Sequence, residues 1–228
     1  EFKVIFWWEY IHRLLGRLIG VVYIVPLIFF TIKKKINIKS LYVLYSIFLL
    51  ICLQGFVGWY MVSSGLSERT DVSHYRLALH LTMAFIILLL LMWNYLKFKF
   101  PVKLKNTVVL PFKLPIILLV FILLQISFGA LVSGLDAGKI YQTWPLMNYK
   151  YFPDDSNFSD IFNLKSFETP SIVQFFHRNI AYVILLFFLF ISIFVLKNDT
   201  YTHLRKTLYF TFLVLIFQII LGILTVLS

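Results

Sequence analysis

The sequence predicts an all-α, polytopic membrane protein with six transmembrane helices. Two bulk properties and one pattern lead there. Of 228 residues, 61% are hydrophobic and only 14% charged, whereas a soluble domain is roughly half apolar and a quarter charged. The apolar residues gather into runs of about 20, long enough for a helix to cross a hydrocarbon core of roughly 30 Å. The basic residues collect in alternate loops between those runs, as topology signals do.

The predicted spans are 11–32, 40–62, 73–96, 114–133, 173–196 and 207–228. Lys33, Lys34, Lys35 and Lys39 separate the first from the second. Lys97, Lys99, Lys103, Lys105 and Lys113 separate the third from the fourth, and Lys197, Arg205 and Lys206 the fifth from the sixth. Those loops hold twelve cations against one acid, Asp199, so they carry the whole net charge of +11. On the other side nine acids (Glu1, Glu9, Glu68, Asp71, Asp136, Asp154, Asp155, Asp160, Glu168) balance nine basic residues. The positive-inside rule then places the lysine loops in the cytoplasm or matrix and both chain ends outside. A nucleic-acid partner does not fit, because the basic residues flank spans instead of forming one patch. The solvent partner is membrane lipid.

Several residues read as packing or interface. The single cysteine, Cys52, lies mid-span, so the chain has no internal disulfide and no cysteine-based metal site. Trp7, Trp8, Trp59 and Tyr60 suit an aromatic belt at span ends. His74 at an interface and His203 in a lysine loop are expected to be solvated. The outer segment 136–172 is the longest connection and shows no helical pattern. Trp144-Pro145, Pro153 and Pro170 should give it fixed turns, and a loop of this length can cap a site.

Two motifs repeat. Gln-x-x-x-Gly occurs near outer span ends as Gln54/Gly58, Gln125/Gly129 and Gln218/Gly222. His-Arg opens outer helix starts as His12-Arg13 and His177-Arg178. His12 precedes Gln54 by 42 residues and His177 precedes Gln218 by 41. The simplest unit is four helices carrying Gln, His-Arg, Gln and His. On that reading 1–106 is a first-half bundle without its first helix, and 107–228 a second-half bundle without its last. The parent protein is expected to have eight spans, in two parallel repeats related by an axis along the membrane normal. The chain begins at Glu1 without Met and shows no signal peptide, in keeping with a segment of a longer protein.

Ionisable groups within spans are candidate functional residues. Glu9 and His12 are three apart and share a helix face. Gly16 and Gly20 continue from His12 in steps of four, leaving a strip without side chains. That strip fits either a close helix contact or a slot for a large planar ligand. His80 lies about two turns inside its span, with Arg76 one turn before it and Ala84 one turn after. His12 and His80 enter from the same side and so lie at similar depth. Neutral imidazoles on facing helices of a bundle can hold one iron. His177-Arg178, followed by Ala181, repeats the arrangement with no second histidine to match. Arg13, Arg76 and Arg178 lie at the outer boundary, placed either to pair with haem propionates or to snorkel.

In combination these segments resemble haem A synthase. They are Glu9-Tyr-Ile-His12-Arg13-Leu-Leu-Gly16-Arg17, Gln54-Gly55-x-x-Gly58-Trp59-Tyr60-Met61-Val62-x-Ser64-Gly65-Leu66 and Arg76-Leu77-Ala78-Leu79-His80-Leu81 in the first half. In the second half they are Gln125-x-x-x-Gly129-Ala130-Leu131-Val132-Ser133-Gly134-Leu135-x-Ala137-Gly138, Trp144-Pro145-Leu146-Met147-Asn148 and Phe176-His177-Arg178. The resemblance runs along nearly the whole chain. It implies eight helices in two halves and oxidation of the C8 methyl of haem O, the substrate, to the formyl of haem A. It implies that His12 and His80 flank the substrate haem, that Glu9 is the acidic residue needed for turnover, and that His177 is one axial ligand of a cofactor haem b. The family's fourth histidine, and the outer-loop cysteine pair that some members carry, have no match here. Oxygen chemistry at the substrate iron needs an open position, so one of His12 and His80 is expected to leave during turnover. The implied partners are haem O synthase as supplier, an electron donor the sequence does not identify, and the assembly of cytochrome c oxidase. The implied location is a bacterial inner membrane with periplasmic outer loops, in preference to the mitochondrial inner membrane.

Two other readings remain open on the residues alone. A non-enzymatic b-type cytochrome passing electrons from quinol through bis-histidine haem explains the histidines and arginines, but not Glu9. A parallel-repeat transporter would place its polar residues near the bilayer midplane, whereas these histidines lie toward the outer face.

Overall fold

The computed structural model describes residues 2–63, 72–100 and 110–228. Ser64, Gly65 and Leu66 of the repeated motif, the charged residues Glu1, Glu68, Asp71, Lys103 and Lys105, and the 106/107 division between halves lie outside the described residues. Among those described, six α-helices follow in order. They are α1 Phe2–Ile32, α2 Ile38–Ser63, α3 His74–Lys99, α4 Leu114–Gly134, α5 Pro170–Lys197 and α6 Arg205–Leu227. All six are long and apolar enough to cross a membrane. The chain is an all-α polytopic membrane protein.

Helices α2 to α6 end within three residues of the predicted spans. The first begins nine residues earlier than predicted, at Phe2. A hydropathy window stops where Glu9, His12 and Arg13 dilute the apolar run, but a helix continues past the hydrocarbon boundary as long as its backbone is satisfied. Glu9 and His12 therefore lie two to three turns inside α1 instead of opening it. The other end of α1 stops sharply. Lys34 takes a left-handed conformation (φ 51°), and the amides of Lys34 and Lys35 return to the carbonyls of Thr31 and Phe30. This is the Schellman arrangement, here without the usual glycine.

Two compact units are present. One comprises the described residues of Glu1–Val72 and Met83–Pro101. Its α1 and α2 pack together, with Leu27 and Ile47 buried and with hydroxyls that find partners inside the unit. The Tyr23 hydroxyl donates to the Leu44 carbonyl at 3.0 Å, and its ring stacks on Phe48. Thr31 and Tyr45 share a hydrogen bond of 3.1 Å. In lipid such groups have no water to turn to, so pairing them links the helices. Pro26 interrupts the α1 ladder, a break that membrane helices accommodate.

The other unit comprises the described residues of Ser73–Thr82 and Val102–Ser228. Helix α5 is its spine, buried near its N-terminus (Ser171 to Gln174) and again at Ile184, Phe188, Ile191 and Val195. Leu114 of α4 and Leu208 of α6 join Phe188, Ile191 and Val195 in one core. The N-terminal turns of α3 belong here too. Thr82 and Ser127 share a hydrogen bond of 2.8 Å. A Cβ at Gly134 would lie 2.8 Å from the Cα and Cβ of His74, so α3 approaches α4 where only glycine fits. His74 is thus packed and half-buried, not solvated as the sequence suggested. Away from these contacts large apolar residues such as Leu186, Phe210 and Leu213 are two-thirds exposed, as lipid-facing side chains are.

The connection from α4 to α5 is folded, although it showed no helical pattern. It contains three short 3₁₀ turns, Ala137–Lys139, Phe158–Phe162 and Leu164–Glu168. Tyr141, Met147 and Pro153 are buried in it. Phe167 packs against Phe128 and Phe176, and Phe152 against Phe175, so the loop is fastened to the C-terminal turns of α4 and the N-terminal turns of α5.

Candidate functional site

In the unit built on α5, His177 faces α4. A Cβ at Gly129 would lie 3.2 Å from Cε1 of the imidazole and 3.8 Å from Nδ1, so the ring occupies the space that the glycine leaves. One turn earlier on the same α4 face, the Gln125 amide nitrogen lies 3.2 Å from His177 Nε2. Nδ1 of His177 and Oε1 of Gln125 are buried without a hydrogen-bond partner. The sequence marked Gln125 and Gly129 as a repeat but assigned them no role. Their spacing of four was the available signal, because it puts both on one helix face.

Arg178 follows. Its guanidinium donates to the backbone carbonyls of Tyr141 (2.8 Å), Thr143 (2.8 Å) and Leu146 (3.4 Å). Gln174, one turn earlier, donates to the same Tyr141 carbonyl at 3.0 Å. The Trp144 indole nitrogen donates to the Tyr182 hydroxyl, and Tyr151 to the Asn179 amide oxygen. One face of α5 therefore clamps the loop beside the residue that carries His177. Within the loop the Tyr141 hydroxyl donates to the Asp154 carboxylate and accepts from the Asp154 amide. Burial, the carboxylate of Asp154 and the charge of Asp155 push the Tyr141 phenol from 10.0 up to about 12. None of these loop partners was legible beforehand, since carbonyl acceptors carry no side-chain signature.

On α1 the structure brings together two of the predicted residues. Arg13 donates to the Glu9 carboxylate at 3.0 Å and to the Glu9 carbonyl at 3.3 Å. The sequence reading paired Glu9 with His12 and overlooked this i,i+4 partner. Both side chains are about half exposed. His12 is exposed one residue before Arg13. Below it Gly16 and Gly20 face open space, with nothing within 4 Å of a Cβ built at either. Of the two readings of that strip, the structure has no helix packed on it among the described residues. His80 and Arg76 lie one turn apart on α3, both half-buried, in the unit that contains α4 to α6.

Among the described residues no three His, Cys, Asp or Glu side chains converge to hold an ion. Lone imidazoles suit a metal that brings its own equatorial donors, as a porphyrin iron does. The imidazole of His177 and the open glycine strip under His12 each offer residue types that suit such a group.

Sequence comparison decides the family. The cytochrome oxidase assembly protein family matches residues 1–228. The chain belongs to that family. A heme A synthase from Pelagibacter ubique (strain HTCC1062) is 48% identical to it over 100% of this chain and 66% of its own length. One from Wolbachia pipientis wMel is 42% identical over 100% and 63%, and one from Rickettsia africae (strain ESF-5) 41% identical over 100% and 68%. The chain thus spans about two thirds of the length of the curated relatives that it matches. No solved structure matches it.

Proposed function

We propose that this chain forms the greater part of a haem A synthase, an oxidoreductase that converts the C8 methyl of haem O to the formyl group of haem A. The observation that carries the reading is His177, an imidazole set inside the α4–α5 pair between Gly129 and Gln125. Its relatives at 41–48% identity are named as heme A synthases.

The roles follow the residues. His177 would hold a haem b cofactor in the α4–α6 half. When bound, that cofactor supplies one-electron transfer. On α1 the glycine strip below His12 accepts the plane of the substrate, and His12 is a ligand to its iron. His80 remains the proposed second ligand. Two successive oxygenations, each taking one O₂, two electrons and two protons and releasing one water, turn the methyl into a hydroxymethyl and then a gem-diol. The diol loses water to give the aldehyde. The electrons come from an external donor. Glu9 holds or moves a proton at Oε1, the oxygen that Arg13 does not contact. Arg13 fixes that carboxylate, and propionate pairing is proposed for Arg13 and for Arg76. Arg178 combines any such pairing with its hold on the loop.

In the cell, the protein sits in the bacterial inner membrane with the 135–169 loop periplasmic and the lysine loops cytoplasmic. It receives haem O from a haem O synthase and serves the assembly of cytochrome c oxidase.

The test uses the full-length parent, expressed with a source of haem O. Extracted haems are compared between wild type and Glu9→Ala by chromatography and mass. Haem A in the wild type, with haem O or a hydroxylated intermediate in the variant, is the expected result. Haem B alone in both overturns the reading in favour of an electron-carrying cytochrome.

A further inference from the structure

A cavity in the unit that contains α1 and α2 has no part in the chemistry proposed above. It measures about 380 Å³ and lies between the start of α2 and the last turns of α3. Asn37, Lys39 and Ser40 line it on one side, Asn94 and Lys97 on the other, and Val43 and Phe98 add apolar surface.

The positive charge at this end of the unit is uncompensated. Lys33, Lys34, Lys35, Lys39, Lys97 and Lys99 lie at the helix ends, and none forms an ion pair among the described residues. Helices α2 and α3 contain no carboxylate. The carboxylate of Glu9 is held by Arg13 near the other end of α1, about 35 Å along the helix from Ile32.

The start of α2 adds donors. The Asn37 side-chain oxygen accepts the Ser40 amide at 2.8 Å, and the Asn37 carbonyl accepts the Leu41 amide at 3.0 Å. The side-chain nitrogen of Asn37 is therefore the end left to donate. The remaining first-turn amides and the helix dipole favour an anion. On α3, Lys97 and Lys99 in the last turn oppose the negative end of that helix's dipole. The Lys97 ammonium stays beside its own helix, 5.3 Å from the centre of the Trp93 ring.

Two features select the occupant. The cavity lies where two membrane-length helices end, so it opens at the depth of lipid headgroups. Its lining combines ammonium groups with apolar side chains, which suits a molecule with an anionic head and acyl chains. We propose that this cavity binds the headgroup of an anionic phospholipid, with the phosphate between Lys39 and Lys97 and the chains along Val43 and Phe98. The seated phosphate bridges α2 and α3 through their lysines. The site makes no use of haem.

The test is native mass spectrometry of the full-length parent in detergent, titrated with phosphatidylglycerol or phosphatidylcholine. Retained phosphatidylglycerol is expected, bound at least about ten-fold more tightly than phosphatidylcholine. Lys39→Gln and Lys97→Gln are each expected to weaken it by about five-fold, the scale of one lysine beside an anionic lipid. Lys39→Arg and Lys97→Arg keep the charge and are expected to keep the lipid. The double variant Lys33→Gln/Lys35→Gln removes two charges from the same connection but none from the cavity lining. It is expected to change the affinity by less than about two-fold. A loss there equal to that of Lys39→Gln overturns the site, because it reports a diffuse attraction to the basic surface. Equal affinity for the two lipids overturns it as well. Inorganic phosphate at the lipid's concentration is expected to leave the lipid bound; displacement assigns the cavity to a free anion instead.

A measurement on the wild type stands whether or not the variants fold. In phosphatidylcholine vesicles, spin-labelled phosphatidylglycerol is expected to show a larger motionally restricted fraction than spin-labelled phosphatidylcholine. The excess is expected to shrink as salt is added. Equal fractions, or an excess that salt does not change, overturn the proposal.

Discussion

The guanidinium of Arg178 lies 2.8 Å from the carbonyl oxygen of Tyr141 and bonds two further carbonyls of the same loop. An arginine that neighbours a candidate ligand is thereby also the fastening of the α4–α5 loop. Arg178→Ala leaves three carbonyls without a charged donor. At roughly 1.5–3 kcal/mol for one hydrogen bond to a charged group, a net loss of about 3 kcal/mol is expected. Thermal melting of the haem-free protein, with limited proteolysis within 135–169, reads it. Unchanged melting and cleavage would confine Arg178 to contacts with a bound group.

Glu9 and Arg13 separate chemistry from stability. Their ion pair is half-exposed, and such pairs contribute no more than about 1 kcal/mol. Glu9→Gln is expected to leave the melting temperature nearly unchanged while lowering haem A formation by roughly 100-fold or more, the scale of lost acid–base catalysis. Haem extraction beside a melting curve checks both. A loss of product that simply tracks a loss of folded protein would assign Glu9 to structure.

Two glycine-to-alanine substitutions have opposite expectations. At Gly129 a Cβ would stand 3.2 Å from His177 Cε1, and the ring cannot retreat without losing Gln125. Gly129→Ala should destabilise by about 1–3 kcal/mol through overpacking and reduce bound haem b. At Gly16 nothing stands within 4 Å, so Gly16→Ala should stabilise the haem-free protein by up to about 1 kcal/mol through helix propensity. If the strip receives the substrate plane, the same methyl weakens haem O binding. Melting and haem O titration of the pair decide it; a Gly16→Ala variant that binds haem O like wild type removes the strip from the site.

Tyr141 supplies a pH dependence. Its phenol is raised from 10.0 to about 12, so the folded loop favours the protonated form. The sign follows from linkage: this contribution is fully present below pH 10 and is lost as pH rises toward 12. The wild type minus Tyr141→Phe difference in tyrosinate absorbance should therefore emerge near pH 12. A difference centred near pH 10 would mean that Tyr141 is neither buried nor bonded to Asp154.

The membrane character, the six spans and the ends of α2 to α6 were legible in the sequence. Hydrocarbon thickness dictates the length of an apolar run, and lysines punctuate the runs without help from tertiary contacts. Glu9, His12, His80 and His177 were also legible as candidates, because an ionisable group in an apolar run stands out with no knowledge of its neighbours. What needed three dimensions was the partner of each group. Arg178 proved to be bound to loop carbonyls and His177 to a glutamine 52 positions earlier in the chain, whereas the Glu9–Arg13 pair, four apart on one helix, was legible and overlooked. The N-terminal turns of α3 joined α4 through Gly134, and α1 ran on past the reach of hydropathy to Phe2. The sequence by itself determined what must lie in lipid, because transfer from water to hydrocarbon is close to a sum over residues. Only the tertiary structure decided which groups meet, because a hydrogen bond depends on distance and direction between side chains on different helices, and those are properties of the packed whole.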